Sequence, residues 1–95
     1  MYKYGKIVFE WDDEKEAENL LKHGVSFLEA IESFSDPKGF QLDDDAHSES
    51  EVRHYWVGMS SNDRVLTTYR KNNIRIIGSA EWRKFRKFYY ERAKN

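Results

Sequence analysis

Few side chains can move protons near neutral pH, and this sequence offers three imidazoles that can: His23, His47 and His54. Imidazole is a natural general acid or base for breaking a phosphodiester. His23 follows Lys22 and precedes Gly24, where a cation also complements a helix C-terminus. His47 lies in the acidic run Asp43-Asp44-Asp45-Ala46-His47-Ser48-Glu49-Ser50, and His54 in a strand-like stretch. Arginines accompany them. Arg53, Arg64, Arg70 and Arg75 fall in the strand-like region; Arg83, Lys84, Arg86 and Lys87 crowd the segment after it. A planar guanidinium suits bidentate phosphate contact and keeps its charge on partial burial. Such a set reads as a phosphate-binding face. Tyr90, placed to be exposed, could stack on a base. The acidic run lacks the alternating ligands and glycine of a calcium loop, and no histidine has a second at ligand spacing, so no metal and no cofactor are expected. No nucleophilic triad, P-loop or dinucleotide fingerprint is present.

The charge distribution supports an anionic partner. The net charge of the 95 residues is −1, but the sum hides two opposed halves. Residues 1–63 carry 6 Lys+Arg against 15 Asp+Glu, a net of −9; residues 64–95 carry 10 against 2, a net of +8. Nucleic acid is the first candidate for the basic half. The alternative is that the halves pair with each other in the fold. The chain has no Cys, which removes disulfide and thiolate chemistry. No apolar run approaches the length of a membrane span, and the N-terminus lacks the apolar core of a signal peptide. A cytoplasmic protein without membrane contact is expected.

The elements that must position these residues follow from periodicity. Ile7-Val8-Phe9-Glu10-Trp11 is a short strand. Asp12 caps a helix of about ten residues that lines up Ala17, Leu20 and Leu21 and ends at Gly24. Ser26 and Glu29 form a capping box for a second helix, with Phe27, Ala30, Ile31 and Phe34 on one face, stopped at Asp36-Pro37. Phe40 and Leu42 open a strand. Residues 51–59, 64–70 and 74–78 follow as a meander with turns at 60–63 and 71–73. Ser79 is expected to cap a last helix, whose Trp82, Phe85, Phe88 and Tyr89 form an apolar stripe. The predicted order is β-α-α-β-β-β-β-α, an α+β fold in which residues 1–95 make a single domain with one antiparallel sheet.

Taken together, Phe9-Glu10-Trp11-Asp12, Asn19-Leu20-Leu21-Lys22-His23-Gly24-Val25-Ser26-Phe27, the Asp43–His47 run and Arg75-Ile76-Ile77-Gly78-Ser79-Ala80 resemble the BrnT toxins of type II toxin–antitoxin systems. The resemblance runs in order over residues 7–91. It implies a RelE/ParE-like fold and a small bacterial endoribonuclease that inhibits translation. It also implies neutralisation by a BrnA-like ribbon-helix-helix antitoxin in a hetero-oligomer that reaches operator DNA only through that antitoxin. Where the family commonly runs into a serine-alanine-arginine segment, this chain has Ser79-Ala80-Glu81.

On that resemblance, the expected reaction is metal-independent attack of an RNA 2′-OH on the adjacent phosphate. Arg64, Arg75 and Arg83 are candidates for stabilising the phosphate charge. His23, Lys22 and His47 are candidates for proton transfer, with Glu51 or Glu81 as alternative bases. Arg53, Arg70, Lys84, Lys87 and Tyr90 are expected to bind RNA. A competing reading is a catalytically weakened binding module that mainly holds an antitoxin, motivated by the acid at Glu81. A third is a DNA-targeting relative acting on gyrase, which the fold permits because fold does not fix function.

Overall fold

The computed structural model describes residues 2–43, 53–72 and 74–93. Strands β1 (Tyr2–Tyr4) and β2 (Ile7–Phe9) form a hairpin, turned at Gly5 with φ 62°. Helices α1 (Asp13–His23) and α2 (Phe27–Glu32) follow, the latter running into a 3-10 turn at Ser33–Ser35. Then come β3 (Phe40–Asp43), β4 (Arg53–Met59), β5 (Val65–Lys71), β6 (Arg75–Ala80) and α3 (Arg83–Ala93). The four later strands make one antiparallel sheet in sequential order. This is an α+β arrangement. It departs from the expected order by the additional first strand, because residues 7–9 pair with residues 2–4 and stop before Trp11.

The capping residues of α1 and the N-cap of α2 are those expected from the sequence. Asp12 accepts from the Glu14 N–H at 2.8 Å, and Gly24 takes the left-handed conformation at φ 67° that ends α1. Ser26 accepts from the Glu29 N–H at 3.1 Å. The Glu29 carboxylate does not reach back to close a capping box; it turns inward to Arg64 and Ser60.

Each face of the sheet has its own core. On one side Phe9, Phe27, Ile31 and Ile76 are buried with Phe34 and Trp11 against them. On the other, Phe40, Val57, Val65 and Tyr89 are buried beneath α3, with Leu42, Met59 and Phe85. Tyr89 anchors that helix by donating to Asp36 Oδ2 at 2.5 Å. Burial and this bond both push the phenol pKa up. Burial alone would raise the Asp36 carboxyl, but bonds from Tyr89, Met59 N–H and Lys38 N–H outweigh it and hold it below the usual range.

Two expectations are corrected here. The leucines of α1 do not face the core: Leu20 is 51% and Leu21 91% exposed. The buried residue of α1 is Asn19. Its amide donates to Val25 O (2.9 Å) and Ser79 O (2.8 Å) and accepts from Ser79 N–H (3.1 Å). Asn19 thus pairs with the outer edge of β6 as a neighbouring strand would, and these bonds set the rotation of the helix. Glu10 occupies the same edge further down, bonded to Ile74 O and Ile76 N–H at 2.9 Å each. Because Ser79 belongs to β6 it is not a helix cap; α3 begins at Arg83, and Trp82 O accepts its first bond, from Arg86 N–H at 2.9 Å. The expected stripe on α3 is buried at Tyr89, half-buried at Phe85, and open at Trp82 (41%) and Phe88 (44%).

Candidate nucleic-acid interface

The candidate residues separate into four places. The first is a cleft of about 550 Å³ lined by Asp63, Val65, Glu81, Arg83, Arg86, Lys87, Tyr90 and Glu91. Helical spacing explains it. Positions 83, 86, 87 and 90 lie one turn apart on the face of α3 turned away from the core. Arg83, Lys87 and Tyr90 therefore come together, and Tyr90 is 46% exposed. Arg86 and Glu91 join them. The lining holds three cations and three carboxylates, which suits proton transfer beside a stabilised anion better than simple anion capture.

Arg64 stands at the edge of this cleft, but its guanidinium is engaged by the protein. It grips the Glu29 carboxylate through both Nε (2.9 Å to Oε2) and Nη2, and Nη2 also donates to Gly24 O at 3.0 Å. Its Nη1 lies 3.7 Å from Glu81. The Glu29 side chain is 9% exposed. Bonding to Arg64 lowers the Glu29 pKa against the opposing effect of burial, and the Ser60 hydroxyl adds a bond at 2.7 Å. The same pairing raises the Arg64 pKa.

A second place is the end of the sheet. Arg53 pairs across the ladder with Lys71, and Lys71 with Arg75, so three cations form a row. Arg75 also meets Glu10 at 3.4 Å. One rung inward, Tyr55 stacks on Tyr69 with ring centres 4.7 Å apart. Trp82 and Phe85 abut Tyr55 at 5.7 and 5.8 Å, and the Arg53 guanidinium sits over the Tyr69 ring at 5.8 Å. Lys84 approaches the Phe85 ring at 5.7 Å.

The third is a groove of about 240 Å³ between α1 and β6, lined by Lys15, Glu18, Asn19, Lys22, His23, Ile77 and Gly78. Lys22 and His23 meet here, apart from the cleft. The fourth is the interior. Arg70 is 6% exposed, lies over the Phe34 ring at 4.7 Å, and donates to Gln41 at 2.8 Å. Burial lowers its pKa from a starting value high enough to leave it charged. Expected on an RNA-facing surface, Arg70 is placed on the inner face, beside His54. That histidine is buried with Nδ1 2.8 Å from Asp43.

His47 and Glu51 lie outside the described residues. Among the described residues no three His, Asp or Glu side chains gather in a way that could hold a metal ion. No described helix is long and apolar enough to cross a membrane. The reading from sequence missed the Tyr55–Tyr69 rung and the Glu29–Arg64 pair. The expected turn at 60–63 would set Met59 opposite Arg64 and Tyr55 opposite Thr68; the observed pairing of Met59 with Val65 is one residue away from that, and only this register sets Tyr55 opposite Tyr69. Nothing local to Glu29 signals Arg64, 35 residues away.

Comparison with known proteins adds one finding. The model of a family described as "ribonuclease toxin, BrnT, of type II toxin-antitoxin system" matches residues 11–85. No curated protein matches the chain.

Proposed function

The chain belongs to the BrnT family of ribonuclease toxins of type II toxin–antitoxin systems, and on that premise we propose that it cuts RNA without a metal ion in the cleft beside the first turns of α3. The observation that carries this reading is that Glu81, Arg83, Lys87 and Tyr90 line one cavity. The Glu81 side chain, 39% exposed and 3.7 Å from Arg64, is accessible as a base. It takes the proton of the 2′-OH, which attacks the adjacent phosphorus. Arg83 and Arg86 stabilise the charge that builds on the phosphoryl oxygens. Lys87 protonates the departing 5′-oxygen, with His47 the alternative acid. The products are a 2′,3′-cyclic phosphate and a free 5′-hydroxyl. Tyr90 positions the neighbouring nucleotide by stacking. Arg75, Lys22, His23 and Lys84, placed elsewhere, serve as RNA backbone contacts, and Arg64 acts through Glu29 and Glu81.

Family membership implies an antitoxin partner and an RNA target. Beyond that, we assign residues 1–95 to one RelE/ParE-like domain, working in the cytoplasm to inhibit translation. Its partner is a BrnA-like ribbon-helix-helix antitoxin, in a hetero-oligomer that meets operator DNA only through the antitoxin.

Antitoxin-free protein incubated with RNA in EDTA is expected to cut it and to leave cyclic phosphate ends. Glu81→Gln and Arg83→Ala are each expected to slow cleavage by about 100-fold or more, with unchanged thermal unfolding. Intact RNA at every protein ratio, or full cleavage by both variants, would overturn the proposal. The engagement of Arg64 by Glu29 favours one other reading, a weakened toxin-like module that chiefly holds its antitoxin. Expression without growth arrest, together with intact antitoxin binding, would select it.

A further inference from the structure

The face of the sheet that carries α3 is only partly covered by that helix. Val57 and Val65 lie in the core beneath it, yet the next rung, Tyr55 and Tyr69, is half-buried. Beyond it the cross-strand pair Arg53–Lys71 continues the same face, since side chains alternate along each strand. The open side of this ledge is completed by Trp82, which is 41% exposed and lies nearly parallel to Phe85, at 27°. Rings 4.7 to 5.8 Å apart hold one another in position, so no ordering of loose side chains is needed when a further ring is added.

We propose that Trp82, with Tyr55 and Tyr69 behind it, is a stacking subsite for one or two bases of single-stranded RNA, and that Arg53 and Lys71 hold the accompanying phosphates. The inference rests on the ribonuclease reading above and extends it. Flat aromatic faces beside cations are the usual means of holding unpaired nucleotides, because every base offers a π-face and every link a negative charge. A strongly apolar partner surface would not call for the cationic rung. Residues 81 to 83 connect the two sites: Glu81 and Arg83 line the cleft, while Trp82 between them turns toward the sheet. A strand of RNA crossing the start of α3 therefore meets the cleft on one side and the ledge on the other. The subsite reads single-strandedness and stacking strength; purines, with the larger π-face, are held more tightly than pyrimidines.

The test uses the full chain and uncleavable probes. An eight-nucleotide 2′-O-methyl oligoadenylate keeps bases and phosphates but has no attacking hydroxyl; an abasic oligomer of equal length keeps only the backbone. Binding is followed by tryptophan emission, with Trp82→Phe used to isolate the Trp82 signal from Trp11 and Trp56. The oligoadenylate is expected to quench Trp82 and to bind more tightly than the abasic oligomer. Trp82→Leu, which keeps apolar volume without an aromatic plane, is expected to weaken binding about 5- to 100-fold, with Trp82→Phe recovering most of it. Arg53→Ala is expected to lower the slope of log affinity against log salt by about 0.7.

Equal affinity for the two oligomers, or Trp82→Leu binding like the parent, overturns the subsite while leaving cleavage in the cleft untouched. Stacking without any cleavage of ordinary RNA sustains the subsite and removes the ribonuclease proposal. Trp82 emission that answers to the purified antitoxin and never to RNA makes the ledge a protein-docking surface and overturns the inference.

Discussion

Replacing Arg64 by alanine would strand Glu29. The carboxylate is 9% exposed and takes two contacts from the guanidinium, while the Arg64 side chain is 29% exposed. Breaking a buried pair by removing one partner typically costs about 3–5 kcal/mol, because the remaining charge stays desolvated. Two features place this case at the lower end. Ser60 still donates to Oε2 at 2.7 Å, and the partly exposed space left by Arg64 admits water. The expected loss is about 3 kcal/mol. At roughly 4–8 °C per kcal/mol for a domain of this size, the melting temperature should fall by about 12–24 °C. Thermal and urea unfolding followed by far-ultraviolet circular dichroism read this directly. Arg64→Ala combined with Glu29→Leu should recover much of the loss, since the orphaned charge is gone. An Arg64→Ala protein that unfolds like the parent would refute the reasoning. If that stable variant also failed to cut RNA, Arg64 would belong to the chemistry directly.

Glu29 and Asp36 both titrate lower in the folded chain than in the unfolded one. The stability they confer is full above about pH 4.5, near the unfolded values, and is lost as pH falls through the folded ones. Thermal melts between pH 7 and pH 2 should show the decline, and Tyr89→Phe should shrink the Asp36 share. Tyr89→Phe itself removes one bond to a charged group and should cost about 1.5–3 kcal/mol by urea unfolding, with Met59 and Lys38 still bonding Asp36. Asn19→Ala removes three buried bonds to Val25 and Ser79; a loss of about 2–4 kcal/mol is expected. Asn19→Asp should be worse, because a carboxylate would face two carbonyl oxygens; equal stability of the two variants would contradict this geometry.

How far sequence reaches is visible in α1 and α3. The caps of α1 and α2 and the order in which the strands pair were legible, because Asp12, Gly24, Ser26 and the short turns act through neighbours a few residues away. The rotation of α1 was not. Leu20 and Leu21 form an apolar pair by any local count, but the helix turns Asn19 inward to satisfy a strand edge 60 residues away. The cleft was legible in part. Spacing along α3 collects Arg83, Lys87 and Tyr90, whereas its Asp63 and Val65 wall comes from the preceding hairpin. Arg70 shows the opposite failure: a strand arginine reads as solvent-facing, whereas the stack on Phe34 and the bond to Gln41 help to make its burial tolerable.

The junction between β6 and α3 has no slack. Ala80 still pairs with Thr67, and Arg83 is already helical, so two residues carry the chain from sheet to helix. Each residue in a helix advances the side chains by about 100°. Adding or deleting one residue at Glu81 or Trp82 would therefore turn all of α3 by that angle. Tyr89 would swing off Asp36 and the cations would move off the cleft together. Length at this point should be far less variable than side-chain identity: substitutions can retune the interface one contact at a time, while a single-residue gap would dismantle core and interface at once.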